Sequence, residues 1–336
     1  MSCFRLPTLV HLISLVTLGA GCSSETDPTP TQGWHRSFDA SEVGWLLSTW
    51  SASASDSYAV GGTESEGRVE HFDGKGWQRL DIGLSVPLLN WVHGIGDTLV
   101  VVGNAGTVLR RQGGTWNSET APTTQNLWGV WGASADDLWS VGGSGKNDGD
   151  ATLLHYDGMS WQSVALPAMQ KSGVNALFKV WGTSASNVYA VGQKGAVLHY
   201  DGSEWKEELA GASDDLIALW GTGPKDIVAV GGRAIGIASV WDGSSWKTES
   251  LAPLPGLNGV WSRRPGVFHV VGVGGTLGVF DTASLSVREQ SFDTELDVHG
   301  VFGTDSGRLN AVGGNFAGPV PPYQGIALER KLGNDE

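Results

Sequence analysis

Residues 127–167 read Leu127-Trp-Gly-Val-Trp131-Gly, then Asp136-Asp137-Leu138-Trp-Ser-Val-Gly142-Gly143, then Thr152-Leu-Leu-His-Tyr156-Asp157-Gly158, then Trp161-Gln-Ser-Val-Ala-Leu-Pro167. These are four short apolar runs, divided by the Gly, Asp and Ser residues that punctuate strands. The scheme recurs along the chain. Its first run carries an anchor at Trp50, His93, Trp131, Trp181, Trp220, Trp261 and Phe302, with gaps of 43, 38, 50, 39, 41 and 41 residues. A Gly closes each second run: Gly61, Gly103, Gly142, Gly192, Gly231, Gly272 and Gly313. A second aromatic opens the fourth run at Trp34, Trp77, Trp116, Trp161, Trp205 and Trp246, with Leu285 in the seventh place. Asp-Gly pairs before it (Asp73-Gly74, Asp157-Gly158, Asp201-Gly202, Asp242-Gly243) predict two-residue hairpin turns, because they tolerate positive φ.

Four strands per repeat at this period predict a β-propeller, and seven anchors predict seven blades. An open β-solenoid is the alternative, and the chain ends discriminate. The last unit, from Leu296, has three runs and no Asp-Gly-x-x-Trp. A fourth-run sequence stands alone ahead of the first anchor, as Gly33-Trp34-His35-Arg36-Ser37-Phe38. A ring uses that strand to complete its last blade and remove a free edge, whereas a solenoid has no use for it. The expectation is an all-β, seven-bladed β-propeller over residues 33–333. Each blade has four antiparallel strands, and the N-terminal strand closes the last one.

Composition agrees. Of 336 residues, 50 are Gly and 16 are Trp, and only 17% are charged. The 40% hydrophobic content excludes a disordered chain, and the net charge of −14 argues against binding nucleic-acid phosphates.

Gly142-Gly143, Tyr156 and Trp161 resemble the kelch repeat. The Asp-Gly-x-x-Trp turn resembles the Asp-box turn of sialidases and of the photosystem II stability/assembly factor family. The whole unit is similar to repeats in lipoproteins common in myxobacteria and related bacteria. The resemblance implies a propeller from residue 33 to about 332 and leaves the activity open.

Residues 1–21 carry Arg5 and an apolar stretch from Leu6 to Leu18, too short to span a bilayer, and read as an export signal. The ending Leu18-Gly19-Ala20-Gly21-Cys22 resembles the bacterial lipoprotein signal, which implies lipidation of Cys22. Ser23 after it implies delivery to the outer membrane. Cys3 is the only other cysteine and lies in the removed segment, so the mature chain has no disulfide partner for Cys22. Residues 22–32 read as a lipidated tether.

No catalytic motif is present: there is no G-x-S-x-G, no H-E-x-x-H and no phosphate loop. His71, His155 and His199 share one repeat position, so a ring spreads them apart; no metal and no cofactor is expected. Asp56, Asp137, Asn187 and Asp226 follow their anchors by six residues and are expected to hold turns through their own backbone. Trp45, Trp91, Trp128, Trp139 and Trp241 fall outside both recurrent positions and are expected in the core. Two second-to-third-strand loops are long, 143–150 and 314–324, and both leave from one face. Loops on a rigid scaffold carry binding. The candidate ligand-binding residues are Lys146, Asp148, Asp150, Phe316 and Tyr323, with Arg233 on the same face. The reading is a monomeric, envelope-anchored, non-enzymatic platform for a protein or glycan. A carbohydrate-active enzyme, a glycosidase or lyase, is the competing class. A cluster of acids with an Arg at the ring centre favours the enzyme, and a shallow Gly-lined centre favours the platform.

Overall fold

The structure is a computed structural model and describes residues 33–145, 149–316 and 321–333. The signal segment, Cys22 and the tether, and also Lys146 and Asp148, lie outside the described residues.

Seven antiparallel sheets of four strands are present, and six of them use consecutive strands. The seventh takes its outer strand from the other end of the chain: His35 pairs with Glu329 and Arg36 with Leu328. The first strands run Trp45–Ser53, Leu89–Ile95, Leu127–Ser134, Leu177–Ser184, Leu216–Gly223, Leu257–Arg264 and Asp297–Gly303. Each lies against the next, and the last lies against the first, so the ring is closed. The solenoid alternative is excluded.

The anchors bind blade to blade. The residue after each anchor is small: Ser51, Gly94, Gly132, Gly182, Gly221, Ser262 and Gly303. A Cβ at Gly94 would lie 2.2 Å from the Trp50 ring, and one at Gly303 would lie 2.3 Å from that of Trp261. Where the place is Ser262, the indole of Trp220 donates to its carbonyl instead, at 2.7 Å. Trp50, Trp131, Trp181 and Trp261 thus lie on backbone that only a glycine leaves open.

Three local expectations need correction. The hairpin loops have four residues, not two: Phe72 pairs with Trp77 and Tyr156 with Trp161. The Asp of each Asp-Gly caps the loop, as when Asp157 accepts from the backbone N–H groups of Met159 and Ser160. These hairpin acids therefore do the backbone bonding expected of Asp56, Asp137 and Asn187. Those three instead hold the third-strand imidazoles: Asp56 with His71 at 2.7 Å, Asp137 with His155 at 2.7 Å, and Asn187 with His199 at 2.8 Å. Each imidazole packs on the aromatic two residues past its partner, Tyr58, Trp139 or Tyr189, at 4.2–4.5 Å. Finally, Val287, not Leu285, pairs with Phe280 where other blades have Trp. The strands of the sixth hairpin run one pair further, to Asp281 and Ser286, and Leu285 sits in its loop at φ +53°.

Candidate functional site

Every first strand carries a β-bulge at one place. The register slips between Leu46 and Ser48, Leu89 and Trp91, Leu127 and Gly129, Leu177 and Lys179, Leu216 and Ala218, Leu257 and Gly259, and Val298 and Gly300. The extra residues are Leu47, Asn90, Trp128, Phe178, Ile217, Asn258 and His299, each three before its anchor. A bulge leaves one residue unpaired and re-aims it. All seven line a single cavity of about 620 Å³ at the ring centre.

The Gly that closes each second strand makes the bulge possible. It faces the residue just before the extra one, as Gly142 faces Leu127 and Gly231 faces Leu216. There the first strand comes so close that a Cβ would lie 1.9–2.4 Å from a backbone carbonyl oxygen in all seven blades. Gly at this position is required for steric reasons.

The cavity opens on the face carrying the second-to-third-strand loops. Towards the other face the anchors close in: Trp220 and Phe302 meet at 5.5 Å, and Trp50 reaches Phe302 at 6.3 Å. One wall is aromatic. Trp45 packs edge-on against Phe316 at 5.1 Å, and Phe316 against His299 at 5.4 Å. The Trp128 indole donates to the Gly143 carbonyl at 3.0 Å.

Lys179, one residue past the fourth bulge, reaches the same space. Its Nζ donates to the Trp128 carbonyl at 2.9 Å and stands 4.1 Å from the centre of the Trp91 ring. Burial pulls its ammonium down to about 7. Burial likewise pushes His299 down to about 4, with the charge of Lys179 adding to the effect and Asp297 opposing it. The His299 ring bonds the Gly314 backbone, while its Nε2 has no protein partner. Asn90 donates to Asn104 and to the Leu127 carbonyl, and its Oδ1 is also without a partner.

Of the residues expected to bind ligand, Arg233 and Phe316 lie in the cavity wall. Arg233 sits at the mouth with its charge engaged: Nε donates to Asp215 at 2.8 Å, and the guanidinium covers the Phe178 ring at 5.4 Å. Tyr323 lies behind Phe316, packed on Trp45 at 4.7 Å. Asp150 is exposed and outside the wall, although Ser144 and Gly145 of the same loop reach it. Trp45 and Trp139 are buried as expected of core tryptophans, but Trp128 is half-buried in the wall and Trp91 faces Lys179.

The bulge ring and Lys179 went unrecognised in the sequence. A signal for the ring was there. Four residues before each anchor the chain has Leu six times and Val once, whereas three before it has Leu, Asn, Trp, Phe, Ile, Asn and His. A fixed core position beside a variable one marks a scaffold presenting a surface. The centre is neither acid-clustered nor Gly-lined: among the described residues of the wall Glu64 is the one carboxylate, and it is exposed at the mouth. Among the described residues, no group of three His, Cys, Asp or Glu side chains is placed to hold a metal.

No family model matches the sequence, and no curated protein matches it. Among solved structures, the chain is similar to YCF48 from Cyanidioschyzon merolae, with a TM-score of 0.67 and 15% identity over 89% of this chain and 99% of that one. It is similar to YCF48 bound to D1 peptide, with a TM-score of 0.66 and 13% identity over 91% and 98% of the two chains. The C-terminal WD40 domain of Sif2 gives a TM-score of 0.60 and 11% identity over 90% and 99%. The likeness is one of fold.

Proposed function

We propose that the protein is a non-enzymatic binding platform of the bacterial cell envelope, which holds a protein segment in its central cavity and is anchored by a lipid on Cys22. The observation that carries this reading is the ring of seven bulged residues. It varies in chemistry while the scaffold around it repeats, and it surrounds a space of a size typical for ligand sites. Four features support a polypeptide ligand: aromatic walls, two Asn side chains, unpartnered polar atoms, and the peptide bound by a YCF48 propeller of the same fold. Among the described residues of the wall, Glu64 is the one carboxylate and forms no acid pair for glycoside hydrolysis, which supports the non-enzymatic reading. The outer-membrane address rests on the likeness of residues 1–23 to lipoprotein signals.

The test is to pan a random peptide display library against the protein lacking residues 1–32. Enriched peptides should lose at least ten-fold in affinity for a Trp128→Ala, Asn258→Ala double variant. Peptides that bind the variant equally well, or enrichment of none while a glycan array gives a specific ligand, would overturn the cavity reading. Anchoring is tested separately: Cys22→Ser should move the protein from the membrane to the soluble fraction, and a mutant retained after a carbonate wash refutes it.

A further inference from the structure

We infer that Lys179 is the cavity's receptor for a carboxylate, so that the ligand is a peptide presenting a carboxylate beside an apolar or aromatic group. This deepens the platform reading and rests on it.

The argument begins with charge. The chain as a whole is strongly acidic, yet among the described residues no carboxylate pairs with the ammonium at the centre of its ring. Lys179 donates to one carbonyl and lies over one aromatic face, and no carboxylate among the described residues pairs with it. The other ionisable groups of the wall do not fill that role. Glu64 is at the mouth, Arg233 is neutralised by Asp215, and His299 is held neutral while Asp297 engages the Gly274 backbone N–H. An ammonium taken out of bulk water without a counter-ion is costly, and an incoming anion removes that cost. Its three donors point from one amine, and the Trp128 carbonyl uses one.

The second observation is His299. Its ring bonds the Gly314 backbone and leaves Nε2 without a protein partner. In the neutral ring whose Nδ1–H makes that bond, Nε2 is an acceptor. The cavity therefore offers a cationic donor and a neutral acceptor within electrostatic reach of each other, between aromatic walls. A peptide supplies both complements, a carboxylate for Lys179 and a backbone N–H for His299. The carboxylate comes from a C-terminus or from a Glu side chain, and the two sources are separable.

The experiment is calorimetric titration of the protein lacking residues 1–32 at pH 6.5 with two probe pairs. N-acetylphenylalanine against its amide tests a terminal carboxylate, and acetyl-Phe-Glu-amide against acetyl-Phe-Gln-amide tests a side-chain one. The acid of at least one pair should bind ten-fold or more tighter than its amide. Lys179→Met should abolish the preference while keeping the amide's affinity, and Lys179→Arg should retain it. Near pH 7.5, binding of the acid should take up protons, read from the difference between two buffers of unlike ionisation heat. Equal binding of acid and amide, with both displaced by Trp128→Ala, overturns the receptor role and leaves the cavity reading standing. A preference that survives in Lys179→Met also overturns it. No binding of any probe at 10 mM overturns the inference and counts against the cavity reading as well.

Discussion

The indole of Trp34 donates a 2.8 Å hydrogen bond to Gln290 across 256 residues of chain. Trp161 makes the same bond to Glu119 and Trp246 to Glu208, each reaching from one blade's outer strand to that of the blade before. Trp34 thus does for the seventh blade what its counterparts do elsewhere, while its strand pairs through His35 and Arg36. It is buried among Trp261, Leu309 and Leu328. Trp34→Ala should cost about 3–5 kcal/mol in denaturant titration. Deletion of residues 33–38 that left the melting temperature unchanged would refute closure by this strand.

The same register shows where the bond is missing. The indole N–H of Trp205 is buried without a partner, and the preceding blade presents Val164 where Glu119 and Glu208 stand. Val164→Glu should supply the acceptor. A double-mutant cycle with Trp205→Phe should return a favourable coupling of about 1 kcal/mol. Zero coupling would show that the repeat bond adds nothing.

Blade number, ring closure and the Gly positions were legible because each is a repeated answer to a repeated packing problem. The strand of Trp34, out of place in a linear repeat, gave closure. The hairpin at Leu285 was misplaced because its strands run one pair further, to Asp281 and Ser286, which counting from Asp281 cannot show. The site was harder to see. A bulge such as that at Trp128 changes no residue type, so a tryptophan re-aimed into a cavity has the same local sequence as one in the core. Lys179 sits in an apolar run and acquires its meaning only when Trp91 and His299, from other blades, are brought beside it.

The bulge depends on Gly142. A Cβ there would lie 2.1 Å from the Asn126 carbonyl oxygen, and nothing but backbone can move. Gly142→Ala should destabilise by about 1–3 kcal/mol. It should also weaken ligand binding at Trp128 beyond what Gly76→Ala does, since a Cβ at Gly76 meets nothing. Equal effects of the two substitutions would deny the glycine its structural role.

Acid should destabilise the ring. Burial holds His93 and His299 down to about 4, against an ordinary value near 6.5. Between those values the unfolded chain binds protons that the folded chain does not, so stability falls as the pH drops through the window. Each imidazole contributes up to about 3 kcal/mol to that loss. Phe is the anchor of blade seven, and His93→Phe should remove about half of the decline between pH 6.5 and 4. A variant with the wild-type pH slope would show that His93 does not titrate in this range.

If Lys179 is kept for a ligand, it should be a burden on the empty fold. Its folded value is about 7 and its unfolded value near 10.5, so below pH 7 both states are charged and the folded state bears the whole cost of burying the ammonium. Between 7 and 10.5 the unfolded chain binds the extra proton, and stability rises with pH until both states are neutral. Lys179→Met keeps the length of the side chain and removes the charge. It loses the bond to the Trp128 carbonyl, worth about 1 kcal/mol, and the contact with the Trp91 ring, worth a similar amount. The charge penalty, up to about 5 kcal/mol, exceeds the sum of these losses. The variant should therefore be more stable than wild type at pH 6 by about 2 kcal/mol, with the gain fading towards pH 10. Denaturant titrations at pH 6, 8 and 10 measure this directly. A variant less stable than wild type at pH 6 would mean that the scaffold itself needs the lysine, and the reason for assigning it to a ligand would be gone.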